Sequence, residues 1–245
     1  MKLYVGSRNY KPTGYLTVDI DPVHNPDIVA DVTNMHNVES SSCDEVLASH
    51  VLEHISWPDS FKALAEFSRI LKYDGVLRIA VPDVMALLQQ IKSSDSDFFA
   101  MGLIYGVGGR DNSLEVHRFG FTQRMLIDIL DVLGFSSYSW WSSPVADASN
   151  GWIPTVESHR SGISLNVQCR KVSEPIINTS RMFGFLLDNP LQNFRLASRK
   201  CLLANDSGDI SFSDNVVVYQ DLHYQLIEAN QRIKFLEDVI ANGGA

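Results

Sequence analysis

The sequence predicts an α/β protein built on an open, mostly parallel sheet of seven strands, and three observations predict it. Strand and helix patterns alternate through the first 172 residues, the alternation that lays helices on the faces of a parallel sheet. The strand patterns Glu45–Ser49 and Val76–Val81 are nearly all apolar, as strands buried on both faces are. Polar residues stand at the ends of successive strands, where open sheets bind ligands.

Leu3–Gly6, Tyr15–Ile20 and Asp27–Asp31 read as three short strands, with Glu45–Ser49 fourth and Val76–Val81 fifth. Between the fourth and fifth, Phe61, Leu64, Ala65, Ser68 and Leu71 form one helical stripe. Pro58 and Asp59 mark its start and Asp74-Gly75 its stop. A second helix runs from Thr122 as N-cap through Met125, Leu126, Ile129, Leu130 and Leu133 to Gly134. Ser136–Trp141 and Ile163–Cys169 complete the seven strands. Only Ser7 to Gly14 join strands one and two, shorter than the dozen or so residues of a usual parallel crossover.

Three regions follow: a domain over 1–172, a linker with short apolar patches over 173–215, and a helix over 216–242. In that helix Tyr219, Leu226, Ile233 and Ile240 interleave with Leu222, Ala229 and Leu236, the a/d seam of a coiled coil. Packing of the helix on its own domain fits the pattern equally well. Twenty basic and twenty-nine acidic residues leave a net charge of −9, which argues against nucleic acid as a partner. No run is apolar enough to span a membrane, and the amino terminus reads as a strand without signal-peptide anatomy. Three widely spaced cysteines suit neither a disulfide framework nor a zinc site, so the expected location is a reducing cytoplasm.

The strand ends carry the chemistry: Gly6-Ser7-Arg8, then Asp19 and Asp21, then Asp31, Ser49-His50 and Pro82-Asp83. A carboxylate after the second strand suits a ribose, because it accepts from both hydroxyls. Turn capping is the ordinary use of any one of these residues.

The runs Val5-Gly6-Ser7, Gly14-Tyr15-Leu16-Thr17-Val18-Asp19-Ile20-Asp21, Asp27-Ile28-Val29-Ala30-Asp31-Val32 and Ala48-Ser49-His50-Val51-Leu52-Glu53-His54-Ile55 together resemble the class I S-adenosylmethionine-dependent methyltransferases. With Ile104–Gly109, His117-Arg118-Phe119-Gly120-Phe121-Thr122, Leu133-Gly134-Phe135 and Ile163–Val167, they look most like a small bacterial branch associated with surface-polysaccharide synthesis. The resemblance spans about residues 1–172 and implies a Rossmann-like sheet with S-adenosylmethionine as cofactor. It implies that Gly6 and Ser7 lie along the methionine part, that Asp19 holds the ribose and that Ile20, Asp31 and Val32 line the adenine. Ser49 and the Leu52–His54 segment then close the site. The chain departs from the family at Arg8, where a glycine is common, and in the short connection after strand one, which removes a helix N-terminus.

A sugar hydroxyl needs a general base to accept a methyl group. His24 and His36 read as solvated loop residues. His117, with Arg118 beside it, is the first candidate for the base, and His54 is the second; capping or backbone bonding are the alternative roles. Arg118, His159 and Tyr105 are candidates for substrate contact. Asp83 reads as an N-cap. Gly106-Val107-Gly108-Gly109 reads as a lid rather than a phosphate loop, and the spacing of His, Cys and Asp predicts no metal. The sequence thus predicts a cytoplasmic O-methyltransferase acting on a sugar hydroxyl, or a sugar-attached acidic group, of a cell-surface glycan or its precursor. The terminal helix would make a homo-oligomer or dock a glycan-assembly partner. The alternative is a noncatalytic methyltransferase-like module tethered by a coiled coil.

Overall fold

The computed structural model describes residues 1–91, 97–106, 115–141, 152–154, 160–175, 203–204 and 210–211. Its central sheet has seven strands: β1 (Lys2–Val5), β2 (Leu16–Asp19), β3 (Ile28–Val29), β4 (Cys43–Ser49), β5 (Leu71–Pro82), β6 (Phe135–Trp140) and, after a hairpin of β7 (Trp152–Pro154) and β8 (Arg160–Gly162), β9 (Ser164–Lys171). Their spatial order is β3-β2-β1-β4-β5-β9-β6. The first five pair in parallel, and β9 runs antiparallel to both neighbours. The order reverses between β1 and β4, so the carboxyl ends of those strands open a crevice.

Among the described residues, four α-helices accompany the sheet: α1 (Trp57–Ile70), α2 (Val84–Ile91), α3 (Asp97–Tyr105) and α4 (Gln123–Val132). Thr122 caps α4 by accepting from the Met125 amide (3.3 Å), and Asp83 caps α2 by accepting from Met85 and Ala86 (3.1 and 3.0 Å). The apolar stripes of α1 and α4 cover one sheet face, where Phe61, Leu64, Phe67, Leu126 and Leu130 bury against Leu3, Val5, Val46 and Ile79. Each fully buried side chain of this size contributes roughly 1.5–3 kcal/mol. The alternate strand positions Tyr4, Leu47 and Ala80 form a smaller cluster with Trp141 on the other face.

Three expectations change. α1 ends at Ile70, and the chain passes directly into β5. Asp74 (φ 62°) and Gly75 instead form a kink, where the β4–β5 register shifts between Cys43 and Glu45. The third strand is shorter than Asp27–Asp31, because Asp27 is used by Thr17, whose amide and hydroxyl both donate to it (2.8 Å each). The sixth strand ends at Trp140, and Trp141, expected as its last residue, packs in the core with its indole N–H on the Ile79 carbonyl (3.1 Å).

The short β1–β2 connection carries no helix. Cys43 and Cys169 are free and buried. No helix among the described residues is long and apolar enough to cross a membrane. Residues 203–204 and 210–211, inside the expected linker, pair as two antiparallel strands. The 216–242 helix, His159 and Val107–Gly109 lie outside the described residues.

Candidate active site

The crevice is shaped first by backbone. After β1 the chain turns through Gly6 (φ 66°) and Arg8 (φ 46°). The amides of Gly6 and Ser7 both donate to the Val18 carbonyl (2.8 and 3.2 Å), which ties the turn to β2. A Cβ on Gly6 would lie 2.3 Å from Val51 Cγ2. Glycine is therefore required both by the backbone conformation and by the packing of Val51.

Asp19, at the end of β2, is buried. The Arg8 amide donates to its Oδ2 (2.7 Å) and the Asp21 amide to its Oδ1 (3.0 Å). Those two bonds fix the carboxylate and leave lone pairs on both oxygens. Arg8 thus holds a left-handed backbone conformation at the position where the sequence reading expected a glycine. Its guanidinium ion-pairs across the crevice with Glu115.

Two cavities meet over this floor. One, of about 600 Å³, is lined by Asp19, Ile20, Asp31, Val32 and Thr33. The other, of about 690 Å³, is lined by Tyr4, Ser7, Ser49, Glu53, Leu103 and His117. They share Gly6, Arg8, Asn9, His50, His54 and Glu115. Asp31 spends one oxygen on the Thr33 amide (2.8 Å), a turn that aims the residue after β3.

The junction between the cavities follows β4. His50 adopts φ 54°, and Leu52–His54 form a single 3-10 turn. His50 is held at both ring nitrogens, Nδ1 to Glu53 Oε1 (2.8 Å) and Nε2 to Ser164 Oγ (3.0 Å). The segment after residue 115 is pinned there: the amides of Arg118 and Phe119 donate to the Glu53 carbonyl, and the His117 amide donates to the Tyr105 carbonyl (2.9 Å). The imidazoles of His54 and His117 meet edge to face with centroids 4.8 Å apart. Burial pushes the His54 imidazole below the ordinary histidine range despite the opposing pull of Glu53, so it is neutral at neutral pH.

Most of the expected residues converge on these cavities: Gly6, Ser7, Asp19, Ile20, Asp31, Val32, Ser49, His54 and His117 line one or both. Arg118 lines the cavity of Asp19 and Asp31, away from His117, because successive side chains of an extended segment point to opposite sides. Tyr105 lines neither cavity; its ring is 62% exposed, and its carbonyl alone serves the site. Three residues take parts that the sequence reading did not assign them. His24, expected in solvent, is partly buried with Nδ1 3.3 Å from Asp19 Oδ1. His50 and Glu53 form the hydrogen-bonded pair at the junction. Glu53, His54 and His117 also come together in space, which linear spacing did not foretell.

A comparison with protein families completes this geometry. Residues 10–79 match the family model of a methyltransferase domain. The match spans Asp19, Asp31, Glu53 and His54, and it supports a methyltransferase with S-adenosylmethionine as cofactor. No curated protein sequence matches the chain. Among solved structures, the chain is similar to a SAM-dependent methyltransferase from Archaeoglobus fulgidus (14% identity, 69% of this chain and 85% of that one, TM-score 0.45). It is also similar to 1,6-didemethyltoxoflavin-N1-methyltransferase from Burkholderia thailandensis, solved with bound 1,6-didemethyltoxoflavin and S-adenosylhomocysteine (18% identity, 70% and 71%, TM-score 0.42). A third is a SAM-dependent methyltransferase from Thermotoga maritima (15% identity, 69% and 81%, TM-score 0.44).

Proposed function

We propose that the protein is an S-adenosylmethionine-dependent O-methyltransferase that acts on a sugar hydroxyl of a cell-surface glycan or its precursor. The observation that carries the reading is the buried Asp19 carboxylate, fixed by two backbone amides at the end of β2, facing a cavity that adjoins a second one across His54. The cofactor supplies a methyl group made electrophilic by its sulfonium. Asp19 accepts from the ribose hydroxyls, Asp31 from the adenine amine, Ile20 and Val32 pack along the base, and the Gly6-Ser7 turn and Ser49 border the methionine end.

The acceptor enters the second cavity. His117 lines that cavity, and its buried Nδ1, which has no hydrogen-bond partner among the described residues, would take the hydroxyl proton. Methyl transfer from the bound cofactor to the acceptor oxygen would release the hydroxyl proton, and that nitrogen would accept it. A positioned base is worth roughly 10²–10⁴-fold in rate. The helix expected over residues 216–242 would join copies of the chain or dock it to a glycan-assembly partner.

Incubation with the cofactor and a panel of sugar nucleotides and oligosaccharides, read by mass spectrometry, tests this: one acceptor should gain the mass of a methylene. With that acceptor saturating, His117→Ala should lose roughly 10²–10⁴-fold in turnover and keep S-adenosylhomocysteine binding. Turnover above about a third of wild type assigns the base elsewhere, since that loss is far below a base's worth. A second reading, a noncatalytic module, draws on the Arg8–Glu115 ion pair that spans the crevice. It predicts no cofactor binding by the folded protein.

A further inference from the structure

We infer that Glu53, His54 and His117 form a binding site for a divalent first-row transition-metal ion on the acceptor side of the crevice. Each of the three offers one ligand atom, and these atoms lie within 4.8 Å of one another. Glu53 is buried to 1% exposure. Its Oε2 is buried without a hydrogen-bond partner among the described residues, as are the Nδ1 atoms of His54 and His117. One such orphan is costly and rarely tolerated. Three converging on one cavity are the donor set of a cation.

The remaining atoms of the ligands are already held, as metal ligands are held by their surroundings. Glu53 Oε1 bonds to His50 Nδ1 (2.8 Å), and His50 is anchored in turn by Ser164 Oγ (3.0 Å). The His54 ring bonds to the Val116 backbone. The His117 amide is fixed on the Tyr105 carbonyl, and the next two amides on the Glu53 carbonyl. The carbonyl-tethered segment thus carries the third ligand to the first two.

Two imidazoles and one carboxylate select zinc or a similar ion over magnesium or calcium, which prefer all-oxygen shells. Three protein ligands leave a position open, the pattern of a reactive rather than a structural site. All three residues line the cavity bordered by Ser49, Pro82 and Leu103, where an acceptor hydroxyl would bind. The inference rests on the acceptor-side reading of this cavity and replaces its proton step, because one nitrogen cannot be both the free base and a metal ligand. His117 Nδ1 then serves as a ligand, and the cation makes the hydroxyl acidic, with the proton leaving to water.

The test is calorimetric titration of the chelator-treated full chain with Zn²⁺ alone, followed by Co²⁺ substitution read by visible absorption. One equivalent should bind per chain, with an imidazole-ligated Co²⁺ spectrum. Glu53→Gln and His117→Ala should each weaken binding by about 100-fold or more, the upper end of what even outer-shell changes cost. Glu53 is buried, so its substitution also tests folding; His117→Ala, with folding checked by circular dichroism, decides the matter. Absence of stoichiometric binding, or binding that His117→Ala leaves unchanged, overturns the site. S-adenosylhomocysteine is titrated separately. Zinc binding without it sinks the methyltransferase reading and leaves the metal site; its binding without zinc does the reverse.

Discussion

Val51 packs where a side chain on Gly6 would have to go, and this couples the first turn of the chain to the segment that carries Glu53 and His54. Gly6→Ala should cost about 1–3 kcal/mol, the usual penalty of overpacking, with further strain from its positive φ. In a double-mutant cycle with Val51→Ala, chemical denaturation should show the two changes to be coupled, because the smaller residue removes the 2.3 Å contact. Simple additivity would contradict the contact. Single residues were legible in the sequence where one strand end defines their place, as at Asp19 and Asp31. His50 and Glu53 were not, because their partnership needs the turn after β4, and His50 also needs Ser164 from the distant β9. His24 looked like a solvated turn residue because nothing local says that its turn folds back on Asp19. His117 was legible as a candidate, but its meeting with His54 and Glu53 depends on a backbone hookup to the Glu53 carbonyl that leaves no mark in the sequence.

Among the elements, α1 is fastened to the loop after β3 by a charged cluster. Glu66 accepts from Arg69 Nε (2.9 Å) and from the Met35 amide (2.8 Å), while Arg69 donates to the carbonyls of Met35 and Val38 (2.8 and 3.0 Å). Burial alone would raise the Glu66 carboxyl, but the Arg69 and Met35 bonds outweigh it and hold the group below its usual range. A group depressed in the folded state contributes stability above its unfolded pKa, about 4.3 for glutamate, and loses that contribution as pH falls through the folded value. Glu66→Gln should therefore cost about 1–2 kcal/mol at neutral pH, and the gap should close on acidification, as thermal melts over a pH series would show. A gap that persists unchanged into strong acid would contradict this assignment. The elements themselves were readable from period and caps: Thr122 opens α4 as its position predicts, and the apolar runs of β4 and β5 are sheet core. The end of α1 was misread because Asp74-Gly75 looks like a helix stop yet sits in the β5 kink, three residues beyond the true passage into strand at Leu71.

At the scale of the molecule, the described residues centre on a seven-stranded sheet whose order reverses beside the cleft, with a short first connection in place of a crossover helix. If the seam from Tyr219 to Ile240 joins copies of the chain, removing residues 216–245 should lower the oligomeric state in light scattering while the 1–172 domain stays folded. An oligomer that survives truncation, or a full-length monomer, would contradict that role. The central claim, that this crevice is a cofactor site with Asp19 as its ribose anchor, faces its most direct test in calorimetry with S-adenosylhomocysteine. The account predicts saturable binding by the full chain and at least a tenfold weaker affinity for folded Asp19→Ala, from the loss of one or two charge-assisted hydrogen bonds of about 1.5–3 kcal/mol each. Absence of binding at millimolar ligand, or an unchanged affinity in the folded variant, would contradict it.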